Sequence, residues 1–133
     1  MINFENETQN FQPEIQQEVN RITFFTTKVT LVNNNSKRIN IPHIIRNRFF
    51  ESENVRYYYV LETGDLYADF RPNKDEIVPD KVEYKDVTIR VTGWSYYIPL
   101  PSKWFKYCKP VKASFTQLPE KRTVYKIQLY DKV

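Results

Sequence analysis

The sequence predicts a mostly β protein with short helices, in which one motif of strand, turn, strand, helix, strand, turn and strand is written twice. Three observations lead there. Apolar and polar residues alternate over short runs bounded by turn-forming residues, which is the period of a half-buried strand. In each half an alternating run is stopped by a proline, Pro42 and then Pro101, and a short segment with an apolar face follows. The two prolines lie 101 − 42 = 59 positions apart, an offset that sets Ile39 on Ile98, Ile41 on Leu100 and Ile45 on Trp104. Self-similarity at a fixed spacing takes priority over local propensity. One such unit cannot bury its apolar face alone, whereas two can.

The elements follow in order. Residues 1–22 form a polar leader, in which Ile15, Val19 and Ile22 fall at helical spacing behind Pro13; a short helix or a frayed tail both fit. The first unit spans residues 23–72. Residues 28–32 alternate and run into Asn33-Asn34-Asn35-Ser36, a cluster that tolerates turn conformations. Residues 38–41 return as a second strand, and Pro42 ends it because proline cannot donate to a ladder. Ile44, Ile45, Phe49 and Phe50 then give one face to a short helix over residues 43–50. Residues 57–62 and 66–70 make a hairpin around Thr63-Gly64-Asp65, with Tyr57 and Tyr59 on one face and Tyr58 on the other. A charged, proline-containing linker covers residues 73–81, and the second unit spans residues 82–133. There, strands are expected at 87–92 and 95–100 around Gly93, a helix capped by Ser102 at 103–107, and a long hairpin of 111–118 with 122–130 across Pro119-Glu120-Lys121.

Composition narrows the function. At 133 residues and 16.1 kDa the chain can bury one modest core. A single cysteine, Cys108, precludes an internal disulfide and suits a reducing compartment, so a cytoplasmic location is expected, the host cytoplasm if the source is viral. No apolar run reaches the roughly 18 to 20 residues of a membrane-spanning helix, and the first residues lack the pattern of a signal peptide, so no membrane partner is expected. Two glycines in the chain exclude the glycine-rich loops that cradle phosphates. Scarce Gly and Ala beside abundant Ile, Asn, Lys, Tyr and Phe point to an AT-rich gene of the kind that viruses and plasmids carry.

Catalysis finds little support. One histidine, His43, and one cysteine assemble neither a zinc site nor a nucleophilic centre, so no enzyme activity, metal or cofactor is expected. His43 reads as a helix-start residue and Cys108 as a small core residue. Carboxylate neighbours such as Asp75 and Glu76 fall in the linker, where solvation accounts for them.

Charge is more informative. The formal charge of +4 hides a leader with Glu5, Glu7, Glu14 and Glu18 and no cation in its first 20 residues. The remaining chain therefore carries 20 − 12 = +8. Residues 33–48 contain Lys37, Arg38, Arg46 and Arg48, and residues 94–112 contain Lys103, Lys106, Lys109 and Lys112, with no acid in either segment. Related by a twofold axis, two such segments would offer a basic face to a phosphate backbone. Solvated surface charge is the plainer alternative. The aromatics admit another reading. Tyr57, Tyr58, Tyr59, Trp94, Tyr96, Tyr97 and Trp104 could stack on single-stranded bases, although core positions in strands are the expected place for such residues.

The segment Ser36-Lys37-Arg38-Ile39-Asn40-Ile41-Pro42-His43-Ile44-Ile45-Arg46-Asn47-Arg48-Phe49 resembles the signature of the AbrB/SpoVT/MazE-like swapped-hairpin domain of transition-state regulators and antitoxins. The resemblance covers about 45 residues of the first unit and the outline of the second. It implies a tandem swapped-hairpin pseudodimer forming one barrel-like core, a sequence-preferring double-stranded DNA-binding activity and a role in transcription regulation. DNA contacts would fall to Lys37, Arg38, Arg46 and Arg48, with Lys103, Lys106 and Lys109 as auxiliary phosphate contacts. The post-helix turn, Glu51-Ser52-Glu53-Asn54, lacks the family's usual glycine, and Tyr97 and Phe105 stand where Arg38 and Arg46 do. A first unit that reads and a second that holds is the expectation. The alternative is a non-enzymatic protein-interaction module, a viral or plasmid accessory factor with a protein partner on an aromatic surface. Pairing of two pseudodimers into a homodimer would be compatible with either.

Overall fold

The computed structural model describes residues 24–33, 36–104 and 110–131. The expected leader helix, Cys108, Lys106 and Lys109 lie outside the described residues. Among the described residues, nine strands, an α-helix and a 3-10 turn succeed one another. They are β1 (Phe24–Asn33), β2 (Ser36–Asn40), α1 (His43–Arg48), β3 (Asn54–Val60), β4 (Leu66–Asp69), β5 (Val82–Thr88), β6 (Arg90–Thr92), β7 (Ser95–Leu100), the 3-10 turn (Ser102–Trp104), β8 (Lys112–Gln117) and β9 (Val124–Tyr130). The protein is mostly β, as its alternating pattern predicts.

All pairings are antiparallel, in the order β5-β3-β4-β9-β8-β1-β2-β7-β6. The two end strands, β5 and β6, are separated in sequence by Ile89 alone, whose amide donates to the Glu53 carbonyl at 2.8 Å. One residue therefore joins the two edges of the sheet, and the result is a nearly closed barrel with little edge left to template aggregation.

Closure depends on two strands that change partners half-way. β1 pairs with β8 over residues 24–28 and with β2 from Val29 onward. The segment 82–92 does the same, since β5 pairs with β3 and β6 with β7. These are one element in two copies, because 24 + 59 = 83 and 33 + 59 = 92. The repeat also leaves a mark in the ladders. In an antiparallel pair crossed by a twofold axis, the residues on the axis are equivalents of each other. Ile39 pairs with Ile98 (98 − 39 = 59) and Tyr67 with Lys126 (126 − 67 = 59), so the two ladders that pair equivalent strands, β2 with β7 and β4 with β9, obey the offset of the two prolines. The two halves therefore exchange strands within one nearly closed barrel.

The exchange explains where the strands differ from expectation. β1 begins at Phe24 rather than at residue 28, and β5 at Val82 rather than at 87. Those first halves pair with the other unit, and Tyr84, Lys85 and Asp86 of β5 are exposed, so no local alternation announces them. β3 likewise starts early, at Asn54, and stops at Val60. α1 ends at Arg48, and Ser102 lies inside the 3-10 turn instead of capping a helix over 103–107, of which only the part to Trp104 is described.

The core is shared. Ile39, Ile45, Val55, Tyr57, Phe70 of the first unit and Ile98, Phe115, Tyr125 of the second form one buried cluster. Phe70 packs against Phe49, Phe115 and Tyr125, with centroids 5.7–6.5 Å apart, the geometry that aromatic pairs favour. Ile45 and Trp104, equivalent after the two prolines, each plug the barrel from their own turn, and Trp104 stacks on Tyr59 at 5.2 Å. A smaller cluster of Tyr58, Tyr67, Leu118 and Val124 lies on the other face of β3 and β4, covered by Val78 from the connecting segment. The alternation expected of the tyrosines is seen in this division, with Tyr57 and Tyr59 on the main core and Tyr58 on the second.

A shared core predicts joint unfolding. Urea titrations followed by tryptophan fluorescence and by far-UV circular dichroism should coincide in one transition, and Ile39→Ala should lower stability by about 2–5 kcal/mol.

Candidate nucleic-acid interface

Acidic residues are missing from two long runs of the chain. Residues 24–50 and 87–119 contain no Asp or Glu, so β1, β2, β6 and β7 are all acid-free. Strand parity decides which side chains those four strands turn outward. Val29, Ile39, Ile98 and Leu100 are buried, so the opposite face carries Lys28, Thr30, Arg38, Asn40, Arg90, Tyr97 and Pro99. Lys28 and Arg90 are exposed, and Arg38 is half-buried with its guanidinium 4.4 Å above the Tyr97 ring. That ring is the repeat equivalent of Arg38 (97 − 38 = 59), so the pair meets across the pseudo-twofold. A cation held by a π face keeps its charge while losing freedom of movement. No ion pair is found between a carboxylate and Lys28, Lys37, Arg38 or Arg90 among the described residues. A groove lined by Lys28, Asn40, His43 and Ser95 continues this face toward the start of α1.

The residues expected to contact DNA are dispersed. Lys37 has the parity of Ile39 and sits at the barrel rim beside Lys85 and Ser102, on the other side from Arg38. Arg46 lies back along α1: its guanidinium donates to the carbonyls of Ser52 (2.7 Å), Phe50 (2.9 Å) and Phe49 (3.2 Å) and lies 4.6 Å from the Tyr96 ring. It therefore satisfies carbonyls at the helix end where a glycine turn would serve, and accounts for the turn that lacks one. Arg48 donates to the Tyr125 hydroxyl at 3.1 Å. Lys103 pairs with Glu83 at 2.9 Å, and the Trp104 indole donates to the same carboxylate at 3.2 Å. Of the four residues of the first segment, Arg38 alone occupies the open acid-free face. Lys28 and Arg90 lie outside the two +4 segments, so segment charge alone does not mark them; the full extent of the acid-free runs, combined with strand parity, does.

The acids gather at the opposite side. Asp69 is fully buried and lies 3.6 Å from the Lys121 ammonium, which also reaches Glu76 at 3.4 Å. The Tyr58 hydroxyl donates to Glu76 at 3.1 Å. Burial opposes ionisation of Glu76, but the Lys121 charge and the hydrogen bonds outweigh it, and the carboxyl sits below its usual range. Burial, with the Glu76 charge adding, pushes the Tyr58 phenol up to about 12. Arg56 grips Asp86 through two hydrogen bonds of 2.6 and 3.0 Å, which lowers the Asp86 carboxyl. The ion pairs thus fall on β3, β4, β5, β9 and the segments beside them, whereas Lys28, Arg38 and Arg90 on β1, β2 and β6 have no carboxylate partner among the described residues.

No family model, curated protein or solved structure matches this chain.

Two predictions follow from these contacts. Because the Glu76 and Asp86 carboxyls lie lower in the folded state than in the unfolded one, their stabilisation is complete above pH about 4.5 and is lost as pH falls below it. The melting temperature should therefore be flat from pH 6 to 8 and drop on acidification, with a shallower drop in Glu76→Gln. Arg46→Ala should lower stability by about 1–3 kcal/mol through its orphaned carbonyls, measured by urea denaturation.

Proposed function

We propose that this chain is a divergent tandem member of the swapped-hairpin regulators and binds double-stranded DNA through the outer face of β1, β2, β7 and β6. The observation that supports the reading best is the acid-free outer face bearing Lys28, Arg38 and Arg90 with no carboxylate partner among the described residues. Dimensions agree with it. Four strands at about 4.8 Å spacing span roughly 14 Å, close to the roughly 12 Å width of a major groove. Lys28 and Arg90 on the flanking strands then face the phosphate edges, while Arg38 on the central ladder faces the bases. Arginine offers the bidentate fork that guanine accepts, and Tyr97 fixes its direction. The biological role in this reading is transcription regulation for a virus or plasmid, inside its host's cytoplasm.

A second reading, capture of a protein partner, draws on α1 and its end, where Ile44 and Phe50 are 51% and 66% exposed. These apolar groups are separate from the acid-free face, so the two readings are told apart by mutation.

Mobility shifts on genomic fragments test the assignment. Arg38→Ala should weaken the complex and relax its sequence preference, at a cost of about 1–3 kcal/mol. Lys28→Ala and Arg90→Ala should each lower the slope of log affinity against log salt by about 0.9. An unchanged slope in the triple variant, or a loss of binding confined to Ile44→Ser and Phe50→Ser, would sink it.

A further inference from the structure

We propose that Trp94 is a wedge that inserts at a base step of the bound duplex and kinks it. The proposal rests on the DNA-binding reading above and adds a mode of recognition to it. Trp94 is 93% exposed, the most exposed of the large apolar side chains described, whereas Tyr57, Tyr58 and Trp104 are at most 9% exposed. Leaving an indole in water forgoes the burial of a large apolar surface.

The turn that presents it is short and fixed. Thr92 pairs with Ser95, and Gly93 and Trp94 are the two residues between them. Gly93 has φ +56, and no non-glycine residue described has positive φ, which is the arrangement of a two-residue type II′ hairpin. A Cβ on Gly93 would meet nothing within 4 Å, so the backbone conformation and not packing requires glycine there. The indole is therefore displayed on a stiff tip rather than a slack loop, which limits the entropy lost on insertion.

Charge selects the occupant. The tip extends from β6 and β7, strands without an acid, and Arg90 lies at the start of the same hairpin on the outer face. A polyanion approaching that face brings its bases within range of the indole. A single-strand platform would need successive exposed aromatics, but Tyr57, Tyr58, Tyr59, Tyr96, Tyr97 and Trp104 lie in the core or are half-buried. One apolar side chain beside a cationic face instead matches the wedges that unstack a base step and bend a duplex by roughly 20–90°.

The test uses the full chain, a short mixed-sequence duplex, the matching single strand and anionic phosphatidylserine vesicles. Trp94 and Trp104 are the two tryptophans, so emission reports directly. Duplex addition should quench the emission, and energy transfer between dyes on the duplex ends should rise. Trp104→Phe should keep the quench; Trp94→Ala should lose both quench and bend. Salt-dependent duplex binding with the same bend in Trp94→Ala overturns the wedge and leaves the DNA reading standing. A quench by single strand or vesicles but not by duplex also overturns it. Absence of any duplex binding removes the DNA reading and the wedge together.

Discussion

The strand exchange is the constraint on which the rest depends. Each crossing segment, 24–33 and 82–92, gives one part of its backbone hydrogen bonds to its own unit and the other part to the other unit. Neither unit can satisfy these groups alone, and unpaired buried amides and carbonyls are costly. The exchange therefore forces the two units into one barrel, brings β2 against β7 with Ile39 on Ile98, and seats Ile45 and Trp104 as paired plugs. It also brings the two ends of the sheet together at Ile89.

Frame and charge obey different rules. The apolar residues follow the offset of the two units, because both face the same shared core: Ile39 with Ile98, Ile41 with Leu100, Ile45 with Trp104, all buried. The cations do not. Arg38 has Tyr97 as its equivalent, and the two meet in a cation–π contact instead of forming a symmetric pair of arginines. Two like charges at that distance would repel across the axis, whereas Arg over Tyr attracts. A duplicated frame with an asymmetric face suits recognition of an asymmetric ligand.

Much of this frame was legible in the sequence. The 59-residue offset, the strand-ending prolines and the division of Tyr57, Tyr58 and Tyr59 between two faces came from local pattern, and local pattern survives because each residue's own strand dictates its face. The first half of β1 and residues 82–86 of β5 were not legible, since their partners lie in the other unit and Tyr84, Lys85 and Asp86 face solvent. The site was read less well than the fold. Adjacent strand residues such as Lys37 and Arg38 cannot share a face, and Arg46 was committed to the carbonyls after α1, a contact that becomes visible only when the chain's path beyond the helix is known.

Amide chemical-shift mapping of the full chain during titration with a duplex tests the central claim most directly. The account predicts shifts concentrated at Lys28, Thr30, Arg38, Asn40, Arg90 and Tyr97, with β3, β4 and β9 unaffected. Shifts centred on α1 or spread over the acidic side, or none at all, would contradict it.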